Sequence, residues 1–142
     1  MQINALTQRK KVNFQNISKN SSTTRLRKNI GEFGEQMASD FLIRKGYSIL
    51  VRNFCVRGGE IDIIARCDAD LIVIEVKTRT STVYGFGEEA VDKRKQKRIK
   101  IALASYVAPF SVRYVRFDII AIDLDRGRKS ATIRHLKNSL FD

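Results

Sequence analysis

Two runs of β-branched and apolar residues, Glu60 to Arg66 and Leu71 to Lys77, are separated only by Cys67-Asp68-Ala69-Asp70. Runs of this kind around so short a polar link fold as a β-hairpin, and a hairpin needs more strands or a covering helix to persist in water. Side chains alternate faces along a strand, so Leu71, Val73, Glu75 and Lys77 share one face and Ile72, Ile74 and Val76 the other. Glu60, Asp62 and Ile64 likewise lie opposite Ile61, Ile63 and Ala65. With the turn at Asp68-Ala69, Cys67 pairs with Asp70. Counting back then sets Asp62 across from Glu75 and Glu60 across from Lys77. Opposed residues have Cβ atoms only about 5 Å apart, where like charges repel, so Asp62 and Glu75 among isoleucines and valines ask for a cation between them.

The pattern around the hairpin supplies its cover. From Gly31 to Lys45, Phe33, Met37, Ala38, Phe41 and Leu42 recur at three and four, an amphipathic helix stopped by Gly46. A strand fits Tyr47 to Phe54, and Gly58-Gly59 marks a turn into the hairpin. A glycine-marked loop, Tyr84-Gly85-Phe86-Gly87, leads to a second helix over Glu88 to Val107, ended near Pro109, and strands fit Val115 to Asp123 and Ala131 to Leu136. The order α-β-β-β-α-β-β predicts an α/β fold, a mixed central sheet with flanking helices. At 142 residues this is one domain, over 30–142. Residues 1–29 hold seven basic residues and no acidic one, so they read as a flexible basic arm.

Lysine and arginine total 27 against 15 acidic residues, a net charge of +12, which favours a polyanionic partner, nucleic acid above all. The absence of tryptophan argues against a membrane-surface protein, and no apolar run is long enough to span a bilayer. With no secretory signal pattern at the N-terminus, the expected location is the cytoplasm. Two cysteines without a CxxC spacing and a single histidine, His135, leave no basis for a disulfide framework, a His-rich zinc site or a Ser-His-Asp triad. Any metal must be held by oxygen.

Asp62 and Glu75, joined by the Val76 carbonyl, suit Mg²⁺ or Mn²⁺, ions that keep waters and bind substrate phosphates. Lys77, two residues from Glu75, is placed to orient an attacking water or stabilise charge growing on a phosphoryl group. The competing reading of a Glu-x-Lys on a strand is ordinary polar decoration. On the first helix Glu32 projects outward and Glu35 falls at the rim of the apolar arc, either a third ligand or a partner for Arg52. Six of the eight residues Lys93 to Lys100 are basic, a solvated face or a phosphate-contacting ridge. Ile99, Ala102, Leu103, Tyr106 and Val107 mark the buried side of that helix. Lys95 and Gln96 fall within its arc near Glu75, while Lys93, Arg94, Lys97, Arg98 and Lys100 point away.

Glu35, Asp62 and Glu75-x-Lys77 resemble the motif order of the restriction-endonuclease-like, PD-(D/E)XK superfamily, most closely its Holliday-junction-resolvase-like branch. More narrowly, Gly34-Glu35, Gly46-Tyr47, Arg52-Asn53, Gly58-Gly59-Glu60-Ile61-Asp62, Glu75-Val76-Lys77-Thr78-Arg79, Lys95-Gln96 and Arg116-Phe117-Asp118 resemble the YraN family of small bacterial proteins. The resemblance spans roughly Ile30 to Ile122. It implies a nuclease-like domain with a divalent-metal site at Asp62, Glu75 and Val76, and a catalytic set of Glu35, Asp62, Glu75 and Lys77. Ile61 stands where the superfamily motif has proline, and the basic arm is an addition to the pattern. The expected activity is Mg²⁺-dependent hydrolysis of DNA phosphodiester bonds, with branched or junction DNA among the substrates. Arg79, Lys93, Arg94, Lys95, Gln96 and Lys97 would hold the nucleic acid. The alternative is a noncatalytic nucleic-acid-binding protein on the same fold, and a third reading an assembly protein that uses the basic helix. Resolvase-like cutting of two strands would suit a homodimer.

Overall fold

A computed structural model describes residues 5–14, 22–80 and 91–141. In chain order these form β1 (Ala5–Lys11), α1 (Thr23–Arg44), β2 (Ser48–Val56), β3 (Gly59–Cys67), β4 (Asp70–Arg79), α2 (Lys93–Val107), β5 (Val115–Asp125) and β6 (Ser130–Leu136). The strands make one sheet in the order β1-β6-β5-β4-β3-β2, antiparallel throughout except for the parallel β4–β5 pair. That parallel pair needs a crossover, and α2 lies in it.

One helix covers each face. Met37, Ala38, Phe41 and Leu42 of α1 pack with Ile63, Ile72, Ile74, Ile120 and Ile122. Ile99 and Ala102 of α2 pack with Ile64, Leu71, Val73 and Ile119 on the other side. The alternation of β4 thus reaches the core as expected, and the architecture is the mixed α/β, restriction-endonuclease-like one that the motifs imply.

Three boundaries differ from expectation. Part of the supposed flexible arm is a strand, β1, paired with β6 from Ala5↔Leu136 to Lys11↔Ser130. The first helix starts at Thr23, eight residues before Gly31, where Ser22 caps it by accepting the Arg25 N–H. Polar side chains extend the helix beyond its apolar stripe because a cap, not the stripe, sets the first turn. The second helix starts at Lys93 because Asp92 is in an extended conformation and its side chain caps the Lys95 N–H at 2.8 Å. The glycine-marked loop Tyr84–Gly87 and the residues from Glu88 to Ala90 lie outside the described residues.

Two glycines let the helices sit close. A Cβ on Gly34 would fall 1.8 Å from Thr78 Oγ1, so α1 rests directly on β4 there. A Cβ on Gly59 would fall 2.7 Å from both the Arg98 carbonyl oxygen and the Ala102 nitrogen, so α2 lies on bare backbone at the start of β3. Gly34 adjoins Glu35 and Gly59 adjoins Glu60, which brings carboxylates in from both layers.

On the α1 face, Asp118 is fully buried. It accepts three hydrogen bonds from the Arg116 guanidinium at 2.8–3.1 Å and one from the Asn138 N–H at 3.1 Å, and His135 Nε2 lies 2.7 Å from it. Arg116 also donates to the Tyr47 hydroxyl at 2.7 Å. This network ties β5 and β6 to the α1–β2 link, and it faces away from Glu75.

Candidate functional site

Backbone pairing between β3 and β4 runs from Cys67↔Asp70 to Ile63↔Ile74, the register that the turn at Asp68-Ala69 predicts. One residue farther, a side chain continues the ladder: Asp62 Oδ2 accepts the Val76 N–H at 2.9 Å. Asp62 is therefore seated between two strands that part, where its charge acts on both faces of the sheet.

Glu75 is the buried member of the pair, 9% exposed. Its Oε1 lies 3.4 Å from Lys95 Nζ, and its Oε2 is buried without a hydrogen-bond partner. Burial first, then the neighbouring Asp62 charge, push the Glu75 carboxyl up to about 8, against the pull of Lys95. The two acids converge, as the hairpin count requires.

Glu60 departs from expectation. Its backbone pairs with Cys55 of β2, and its carboxylate meets Lys95 at 2.5 Å and Arg98 at 3.6 Å rather than Lys77. The count that set Glu60 across from Lys77 fails because the paired strands separate beyond Ile63. Lys95 holds Glu60 low in pKa, outweighing the effect of burial. Burial opposes the Lys95 ammonium, but the Glu60 hydrogen bond and the charges of Glu75 and Asp62 raise its pKa overall. Arg98, assigned by the helical wheel to the outer side, is half-buried through this pairing.

Glu35 reaches the same region from the α1 face. It is half-buried, and burial, then Asp62, raise its pKa against a hydrogen bond from Asn53 and the charge of Arg52. The expected Arg52 partnership is instead made by Gln36, whose Oε1 accepts from Arg52 at 2.8 Å. A cleft of about 360 Å³ beside Glu35 is lined by Arg27, Val76, Thr78 and Arg79 among others. Lys77 is half-buried on β4.

Of the residues expected on nucleic acid, Lys93, Arg94 and Lys97 are exposed and Arg79 borders the Glu35 cleft. Lys95 and Gln96 turn inward: Lys95 to the acids, and Gln96, 7% exposed, to the Val91 carbonyl at 2.8 Å. Sequence reasoning missed Glu60 and Asn53 as members of the site. Glu60 carried a signal, its place two residues before Asp62, and Asn53 stood in the Arg52-Asn53 motif of the family resemblance, though nothing local foretells its φ of +52°.

The donor set fits a hard divalent cation. It offers oxygen only, in two adjacent carboxyls, and one buried carboxylate oxygen has no other partner. Among the described residues no group of three His, Cys, Asp or Glu side chains gathers tightly enough to enclose an ion alone, so water or substrate oxygens would complete the shell.

The sequence model of the uncharacterised protein family UPF0102 matches residues 34–122. A UPF0102 protein of Trichlorobacter lovleyi is 42% identical over 116 residues, 80% of this chain and 90% of that protein. One from Caldicellulosiruptor bescii is 42% identical over 118 residues, covering 80% and 98%. One from Clostridium botulinum is 40% identical over 115 residues, covering 79% and 94%.

Proposed function

Since the chain belongs to the uncharacterised protein family UPF0102, also known as YraN, we propose that it is a divalent-metal-dependent endonuclease acting on DNA phosphodiester bonds, branched or junction DNA included. The observation that carries this reading is the convergence of Asp62 and Glu75 where β3 and β4 part, with a buried Glu75 oxygen left unsatisfied. The net charge of +12 supports a polyanionic substrate.

In this mechanism Asp62 and Glu75 would hold Mg²⁺ or Mn²⁺, and the Val76 carbonyl would be a further oxygen donor. When bound, the ion supplies Lewis-acid stabilisation of the phosphoryl oxygens and lowers the pKa of water. Val76 orients the Asp62 carboxylate through its N–H. Lys77 steadies negative charge on the scissile phosphate. Glu35, with a raised pKa and an open cleft beside it, accepts or relays a proton from the attacking water. Lys95 balances the acids before substrate and ion arrive, and Gln96 anchors the start of α2 so that Lys95 reaches them.

The test is incubation of the purified protein with labelled duplex, single-stranded and four-way-junction DNA in Mg²⁺ or Mn²⁺. Metal-dependent cleavage that disappears in Asp62→Asn supports the reading, and no cleavage of any substrate overturns it. One observation favours a second reading, a noncatalytic nucleic-acid-binding protein: Lys95 already compensates Glu60 and Glu75 without an ion. Binding that weakens steeply with salt and ignores divalent metal would support that alternative.

A further inference from the structure

The basic N-terminal segment and the β5–β6 turn converge on one end of the sheet, the end toward which the carboxylates lie. Arg79 at the end of β4 pairs in register with Asp123, two residues before β5 ends at Asp125. Asp125 faces Ser130 across the turn, and Ser130 in turn pairs with Lys11 at the end of β1. The turn itself reads Arg126-Gly127-Arg128-Lys129, all exposed. Lys11, Arg128 and Lys129 border a groove of about 400 Å³, closed at its base by the Val12 N–H donating to the Lys129 carbonyl at 2.9 Å. Two residues beyond Val12, Phe14 stacks on Phe33 of α1 with ring centroids 6.3 Å apart. The first turns of α1 bring Arg27 to the cleft that holds Glu35 and Arg79.

We infer that this rim, Lys11, Arg128 and Lys129 continuing to Arg27 and Arg79, is a second binding surface for the phosphate backbone of duplex DNA, which leads the strand toward the Glu35 cleft. The inference rests on the nucleic-acid reading above and adds where the duplex lies. β1 and β4 are three strand spacings apart, about 14 Å, or roughly four base-pair steps of duplex. A backbone anchored at the groove therefore reaches the β4 end within half a helical turn. The nearby acids offset only part of the rim: Asp125 takes up some of the Arg128 charge at 3.7 Å, and Glu32 sits 4.0 Å from Lys28, which is not a rim residue. Lys11, Arg27, Arg128 and Lys129 all lie outside residues 34–122, so this surface is carried by parts of the chain beyond the family core. It also gives the basic N-terminal strand a role that edge protection alone does not require, since a single lysine would serve that purpose.

The test compares two triple variants of the full chain in EDTA, where binding is read without cleavage, by anisotropy of a short fluorescein-labelled duplex over a salt series. K11Q/R128Q/K129Q removes three rim charges. R44Q/R66Q/R113Q removes three exposed charges from the opposite end of the sheet. The expected result is at least about a tenfold loss of affinity in the rim variant. Its plot of log affinity against log salt should flatten by about 2–3, near 0.9 for each phosphate no longer neutralised. The opposite-end variant should stay close to the wild type. Equal losses in the two variants, or none in the rim variant, overturn the inference while leaving nucleic-acid binding intact. No binding by the wild-type protein overturns the proposed function itself. Far-UV circular dichroism and thermal melting of both variants confirm that the substituted proteins remain folded.

Discussion

Asp62 accepts the Val76 N–H at 2.9 Å, so one carboxylate is both the last rung between β3 and β4 and half of the acidic pair. The two duties separate by substitution. Asparagine keeps an oxygen that can accept from Val76 but loses the charge, whereas alanine loses both. Asp62→Asn is expected to melt close to the wild type while cleavage falls by about 100-fold or more, and Mn²⁺ binding measured by calorimetry weakens with it. Asp62→Ala should in addition cost about 1–3 kcal/mol in urea unfolding, the penalty of a buried donor left without its acceptor. Full cleavage by the asparagine variant would remove Asp62 from the reaction.

Lys95 stands among three carboxylates, 2.5 Å from Glu60 and 3.4 Å from Glu75, with Asp62 acting on it through its charge. Lys95→Met leaves those acids without their counter-charge. In metal-free buffer the variant is expected to lose about 1–3 kcal/mol, less than a fully buried pair because the lysine side chain is 22% exposed. Mn²⁺ should restore more melting temperature to the variant than to the wild type, and should bind it more tightly. An unchanged Mn²⁺ affinity would show that Lys95 and the ion do not share the acids.

Glu75 titrates in the opposite sense to a paired surface acid. Its carboxyl sits at about 8 in the folded protein, raised by burial and then by Asp62, against about 4.3 in an unfolded chain. The folded state thus holds the extra proton between those values, and the contribution of Glu75 to stability declines as pH rises through that window. Glu75→Gln is expected to flatten this decline and to melt higher than the wild type near pH 8 without metal. Added Mn²⁺ should raise the melting temperature of the wild type and leave the glutamine variant nearly unmoved. A steeper decline in the variant would contradict the buried, partnerless state of Oε2.

The hairpin was legible because its signals are local. The alternation of Leu71 to Val76 and the turn at Asp68-Ala69 dictate a register that holds to Ile63↔Ile74. Counting still brings Asp62 to Glu75 but fails by Glu60, which turns to α2 where the strands have parted, since no rule along one strand reveals where its partner leaves it. β1 was hidden for a related reason. Thr7, Gln8, Arg9, Lys10 and Lys11 carry no apolar face, and the strand is held by backbone pairing with β6, more than a hundred residues away in sequence. In α2 the wheel placed Lys95 and Gln96 inward correctly. What Lys95 meets there, Glu60, depends on tertiary packing alone, whereas Gln96 bonds the Val91 carbonyl only five residues before it.

Gly59 supports the site by letting α2 approach. A methyl group there would lie 2.7 Å from the Arg98 carbonyl oxygen and the Ala102 nitrogen, both backbone atoms that cannot rotate away. Gly59→Ala is expected to cost about 1–3 kcal/mol through overpacking. Displacing α2 also carries Lys95 away from Glu60, so the effect on Mn²⁺ affinity in Gly59→Ala should follow that of Lys95→Met. A variant with unchanged melting temperature would mean that α2 does not rest on this backbone.

The Asp118 network offers a test on the other face of the sheet. Burial alone would raise the Asp118 carboxyl, but the bonds from His135 and Arg116, with the Asn138 N–H, outweigh it and lower its pKa. A folded-state pKa below the unfolded value, about 3.9, gives stability that is fully present above that value and is lost as pH falls through it toward the folded one. Asp118→Asn leaves the partly buried Arg116, its side chain 21% exposed, against a neutral partner, so a loss of about 1–3 kcal/mol is expected at neutral pH. Below about pH 4 the wild type loses this contribution and the two proteins should converge in urea stability. Stability curves that stay parallel through that range would show that Asp118 does not carry its charge in the folded protein. Because the network faces away from Glu75, the asparagine variant should retain Mn²⁺ binding for as long as it stays folded.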